Sequence, residues 1–152
     1  MYGFVKLVHV LSATVLFGTG LGMAYFMWCA ILSGEPVAIA HTARQVVWVD
    51  WLFTTPAIVV QPMSGIALMY LLGFSWEPWI SWSVILYLLA VACWLPVVWL
   101  HFRMRDLATE AARMHRPSAP VFAVYARAWF WLGVPAFMAM VAIFTLMIFK
   151  PY

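Results

Sequence analysis

The chain has 152 residues, of which 67% are hydrophobic and only 9% charged, with a formal charge of +3 and a mean hydropathy of +0.99. A soluble domain carries about a quarter charged residues, so this chain has too little polar surface to cover a core in water, and lipid is the solvent it suits. Its eight Lys and Arg are spread thinly, without the basic helix or tract that would track a nucleic-acid backbone.

A membrane-spanning helix needs about 20 mostly apolar residues. Four such segments with short loops use up the chain, which predicts one domain, 1–152. The first span is predicted over 4–32. Lys6 is its only early positive charge, the apolar run is long and no small-residue cleavage site follows, so it reads as a retained helix rather than a signal peptide. Gly18, Gly20 and Gly22 lie inside this span. A dinucleotide fingerprint needs a preceding strand, whereas Gly18 and Gly22 have the small-xxx-small spacing of close helix packing. They mark a face for a second copy or a membrane-complex partner.

Ser33-Gly34-Glu35-Pro36 breaks the first span. A polar stretch over 41–44 is read as the approach to a second span over 47–73. Pro56 and Pro62 lie within that span and free carbonyls that neighbouring helices can satisfy. The third span is predicted over 79–102, and residues 106–114 have the composition to carry its helix on into water. The fourth runs over 125–149, with Pro135 inside it. Short connections favour an all-α, antiparallel four-helix bundle.

Lys and Arg counts set the expected orientation. Arg44, Arg103, Arg105, Arg113, Arg116 and Arg127 flank the first and third loops, against Lys6 and Lys150 on the other side. That places the two loops in the cytoplasm and both termini outside. Trp76, Trp79 and Trp82 are expected as an outer aromatic belt, and Trp48, Trp51, Trp99, Trp129 and Trp131 near the inner interface. Cys29 and Cys93 are isolated in apolar segments and imply neither a disulfide nor a metal pair.

Ionisable residues within a span are costly and are functional candidates by default. Asp50, His101 and Arg127 fall near the inner side. Asp50 and Arg127 are expected to pair, with Arg44 or Arg103 sharing the carboxylate. The pair is either a clamp on bundle register or a site for an anion, a quinone or a propionate. Gln61, beside Pro62, is expected to bond a carbonyl freed by that proline or to reach a ligand. His9 lies near the outer side with no acid close in sequence. It is either a buried His bonded to a neighbouring carbonyl or a haem ligand, neutral imidazole being a common ligand for haem iron. Counting at about 1.5 Å per residue, Met69 and Met147 fall near its depth and are the candidates for a second axial ligand.

The stretches Asp50-Trp51-Leu52-Phe53-Thr54-Thr55-Pro56 and Gln61-Pro62-Met63-Ser64-Gly65, with Trp94-Leu95-Pro96 and Val134-Pro135-Ala136-Phe137 through Lys150-Pro151, resemble a bacterial integral-membrane family of unknown function, domain family 2269. The resemblance implies a multi-pass protein of the bacterial cytoplasmic membrane. More distantly, Lys6-Leu7-Val8-His9, Thr55-Pro56 and Lys150-Pro151-Tyr152 resemble the HemJ-type protoporphyrinogen oxidases. That resemblance implies haem b, with His9 as its axial ligand. Where those proteins carry a Lys early in helix three this chain has Ser83, and Cys93-Trp94 replaces a His and Tyr pattern. The haem pocket and the oxidase activity are therefore separable.

The leading expectation is a haem-b protein of electron transfer or porphyrin redox chemistry, with Lys6 or Lys150 meeting the propionates. The rivals are a non-enzymatic accessory subunit, packed through the Gly18 face, and a small ion-coupled transporter using Asp50 and Arg127.

Overall fold

The computed structural model describes residues 1–73 and 75–150; Phe74, Pro151 and Tyr152 lie outside the described residues. Among the described residues there are four helices long and apolar enough to cross a membrane. Helix α1 spans Tyr2–Ser33. Gly34 then takes the left-handed conformation at φ 68° and returns its N–H to the Ile31 carbonyl. Glycine adopts this conformation without the clash a side chain would meet. Pro36 starts the next helix, at a first position where its missing N–H costs nothing.

That second helix crosses in three pieces: α2 over Pro36–Val49, a π-helical turn over Asp50–Thr54, and α3 over Thr55–Leu72. It begins 11 residues before the predicted 47. The polar residues His41 and Arg44 face out, while Ile39, Ala40, Ala43 and Val46 on the other side of the same turns are buried. The polar stretch is thus one face of an amphipathic helix, not a loop. Helix α4 runs Pro78–Arg113, and α5 runs Pro120–Phe149 with proline in its first turn. The extension of the third helix past 106 is present in α4.

Alternation of direction makes an antiparallel bundle. One end carries the chain termini and the 73–78 connection (the terminal end). The other carries the 34–35 turn and the 114–119 loop (the arginine end). Helix α4 packs on α2 and α5, and α1 packs on α2 and α3. The densest packing is at the arginine end, where Met27 and Met104 are fully enclosed within a cluster that includes Ala43, Val46, Leu100, Ala108, Phe122 and Trp129. Toward the terminal end α1 pairs with α3 and α4 with α5, and α1 meets α5 mainly through rings. Phe17 stacks on Phe137 at 5.2 Å and meets Phe144 edge-on at 5.4 Å, while Trp28 meets Phe130 at 5.3 Å. No described neighbour lies within 4 Å of a Cβ built on Gly18 or Gly22, so that stripe packs no helix of its own chain.

The tryptophans divide differently from the expectation. Trp76, Trp82, Trp48, Trp51, Trp99 and Trp131 are exposed, as lipid-interface residues should be. Trp79 is buried, its indole N–H donating to Glu77 Oε2 at 2.7 Å. Trp129 is 7% exposed beside Trp131 at 69%. Two residues apart on a helix is about 200° of rotation, so one ring faces the bundle and the other the lipid.

Candidate functional site

The site begins with a proline. Pro56 has no N–H to give to the carbonyl four residues back, and the preceding Thr55 N–H reaches five residues back to the Asp50 carbonyl. The wide turn that results, a form recurrent at functional sites, buries Asp50 and Thr54 and leaves Trp51, Leu52 and Phe53 facing lipid.

Asp50 does not pair with Arg127. Its Oδ2 lies 2.6 Å from His101 Nδ1 on α4, and both side chains are almost fully buried. Trp129 of α5 then donates its Nε1–H to His101 Nε2 at 2.9 Å. Indole is a donor only, so Nε2 must be the bare nitrogen. The imidazole is therefore neutral, and its proton sits on Nδ1, donated to Asp50. Three helices contribute one residue each to this chain of hydrogen bonds.

Arg127 is exposed and bonds the Ala123 carbonyl on its own helix. Arg103 lies over the Trp99 ring at 5.9 Å, and Arg44 is exposed on α2. Long guanidinium side chains at a helix end reach toward water, while the short imidazole stays within the bundle. Among the described residues His101 is the one cation-capable group within 4.0 Å of Asp50.

Above this triad an elongated slot of about 320 Å³ lies between the α1/α3 and α4/α5 pairs. On α4 it is lined by Tyr87, Ala90, Val91, Trp94, Val97 and His101. This single helical face is about 21 Å long at 1.5 Å per residue. Leu16, Phe17, Gly20 and Ala24 of α1 and Gly133, Val134, Phe137 and Met138 of α5 form the other walls. The volume is at the low end of ligand pockets, roughly 300–1,000 Å³. Asp50 and Trp94 both line the slot, and each keeps one buried polar atom without a hydrogen-bond partner: Asp50 Oδ1, an acceptor, and Trp94 Nε1, a donor. Buried polar atoms are nearly always partnered; of the three exceptions among the described residues these two border one cavity, and the third, Ser118 Oγ, lies in the 114–119 loop.

A second polar group lies in the terminal half. Gln61 belongs to it rather than to the Asp50 cluster. Its amide nitrogen lies 3.2 Å from His9 Nε2, and its amide oxygen accepts from the Ser12 hydroxyl. His9 Nδ1 lies 2.9 Å from Ser64 Oγ, and that hydroxyl donates to the Val60 carbonyl at 2.7 Å. With its one proton committed, Ser64 accepts from His9 Nδ1–H, and Gln61 donates to Nε2. His9 is therefore neutral with both nitrogens engaged. A Cβ on Gly65 would come within 3.3 Å of the ring, so a larger residue there would press on the imidazole. The carbonyl freed by Pro62 is that of Ile58, and it is taken by the Tyr87 hydroxyl, not by Gln61.

His9 thus lies level with Gln61–Gly65 rather than with Met69, which is about a turn and a half further along. The depth count set His9 about five residues into a span starting at 4, against a second span ending at 73; α1 starts at Tyr2 and α3 ends at Leu72, which moves the level to Gly65. Met69 and Met147 are half-buried on α3 and α5. Lys6 sits over the Tyr2 ring at 5.8 Å and Lys150 over Trp79 at 5.7 Å. As packed, His9 offers iron no free nitrogen, and an axial bond requires Gln61 to leave Nε2. Among the described residues no three His, Cys, Asp or Glu side chains gather to hold a metal ion.

Trp129, Tyr87, Ser64 and Gly65 have roles that the linear sequence did not single out. The family model described as predicted integral membrane protein (DUF2269) matches residues 3–151, and the chain belongs to that family. No curated protein and no solved structure matches it.

Proposed function

We propose that this member of the DUF2269 family binds a lipid-soluble quinol in its intramembrane slot. The observation that carries the reading is the pair of unpartnered atoms beside that slot, Asp50 Oδ1 and Trp94 Nε1. A quinol supplies the complementary group for each: a hydroxyl that donates to the carboxylate and a ring oxygen that accepts from the indole. The apolar length of the slot suits a hydrocarbon tail.

The chemistry follows from the triad. Trp129 holds His101 in the Nδ1–H form, so the imidazole has no lone pair for the ligand and instead fixes the carboxylate by its other oxygen. Asp50 is then the group that accepts the hydrogen bond of a bound hydroxyl, and His101 and Trp129 are positioning residues. The arginine count supports the arginine end in the cytoplasm and both termini outside.

The test is a titration of purified protein with decylbenzoquinol, followed through tryptophan fluorescence. Saturable binding is expected, weakened in Asp50→Asn by tenfold or more, since a hydrogen bond to a charged group is worth about 1.5–3 kcal/mol. The oxidised quinone lacks the donor and should respond less. Absence of saturable binding, or equal binding by Asp50→Asn, removes this reading.

Haem b on His9 is the second reading. It rests on the first-helix position of His9 and on the HemJ-type resemblance, with Lys6 or Lys150 near propionates and neither Met69 nor Met147 level with the imidazole. A Soret band after haem-supplemented expression that disappears in His9→Ala would establish it.

A further inference from the structure

At the arginine end, α2 and α4 enclose an open groove of about 630 Å³. Arg44 and Trp48 are one turn apart on α2. Arg105 and Arg113 lie eight residues apart on α4, on one stripe about 12 Å long. Three guanidiniums line the groove against two carboxylates, Asp106 and Glu110. Arg105 and Asp106 are already bound to each other at 2.7 and 2.9 Å. Among the described residues neither Arg44 nor Arg113 has a carboxylate within 4.0 Å.

The groove thus presents two uncommitted guanidiniums and a surplus positive charge. Its floor continues into lipid-facing surface: Trp48 is 66% exposed, and the next turn carries the exposed Trp51 and Leu52. Tryptophan in such a position sits at the boundary between acyl chains and headgroups. Guanidinium matches phosphate oxygens in paired hydrogen bonds, and basic pockets between membrane helices are where anionic headgroups are held.

We propose that this groove binds the phosphate headgroup of an anionic phospholipid, with Arg44 and Arg113 on the phosphate and Trp48 against the glycerol. The site is separate from the slot, and its occupancy does not depend on what the slot binds.

The test compares nanodiscs of phosphatidylcholine with nanodiscs containing phosphatidylglycerol. The anionic lipid should raise Tm by several degrees, and native mass spectrometry should find phosphatidylglycerol retained. The double variant Arg44→Gln/Arg113→Gln should lose the gain and the retained lipid while keeping its Tm in phosphatidylcholine. The Arg44→Lys/Arg113→Lys variant, which preserves charge, should keep part of both. Equal Tm in the two discs overturns the proposal, as does a gain that survives in the Gln variant. Millimolar pyrophosphate reproducing the gain in phosphatidylcholine discs would assign the groove to a soluble anion and overturn the lipid.

Discussion

Trp129 donates its indole N–H to His101 Nε2 at 2.9 Å, and that bond requires the proton of His101 to sit on Nδ1. Trp129→Phe removes the donor and leaves a buried acceptor unpaired. A loss of about 1–3 kcal/mol is expected, read as a lower midpoint in thermal or denaturant unfolding. Nitrogen chemical shifts of His101 should report Nδ1–H with a hydrogen-bonded bare Nε2 in the wild type; in the variant the carboxylate keeps the proton on Nδ1 and the Nε2 shift alone moves as its donor is lost. An unchanged Nε2 shift would show that the indole bond is not formed.

Asp50 and His101 are a buried pair on different helices. Removing one partner strands the other, and His101→Leu is expected to cost about 3–5 kcal/mol. Asp50→Leu in the same chain should recover much of that loss, because an apolar pair leaves nothing unsolvated. Additive losses across the double-mutant cycle would show that the two side chains act independently.

The four spans were legible because lipid demands long apolar runs, and those runs are continuous in the sequence. The costly polar residues Asp50, His101, His9 and Gln61 were legible for the same reason. Their partners were not. Charge complementarity favoured Arg127 for Asp50, but which way a side chain faces depends on helical phase, and the π turn after Val49 resets that phase. Trp129 cannot be told from Trp131 without knowing which face of α5 is buried. Ser64 and Gly65 were missed because small errors at two helix ends, 4 for Tyr2 and 73 for Leu72, move the level matched to His9 by nearly a turn.

Tyr87 and Pro62 should be coupled. The proline frees the Ile58 carbonyl, and the tyrosine hydroxyl occupies it. Tyr87→Phe alone is expected to cost about 1–3 kcal/mol. In a Pro62→Ala background the helix supplies its own N–H to that carbonyl, and the same change should cost markedly less. Chemical denaturation of the four proteins measures the difference.

His9 and Gln61 allow a parallel experiment. His9→Leu leaves the Gln61 amide short of a partner, and Gln61→Leu leaves His9 Nε2 bare. Each is expected to lose about 1–3 kcal/mol, while the double replacement falls well short of the sum. Gly65→Ala tests the same contact by crowding it: overpacking costs about 1–3 kcal/mol, and His9→Ala should relieve that loss. If Gly65→Ala costs the same with and without the imidazole, the close approach between α1 and α3 has another cause.

The π turn also acts as a phase coupling between the two polar groups. Asp50 and Gln61 lie on one continuous helix, on opposite sides of Pro56. Each residue added to or removed from an α-helix rotates everything beyond it by about 100°. Deleting one residue of the turn to restore regular geometry would keep Asp50 against His101 yet swing Gln61, Ser64 and Gly65 away from His9. Neither group can be re-registered alone, so length changes between Asp50 and Gln61 should be tolerated far less than substitutions on the lipid-facing residues between them.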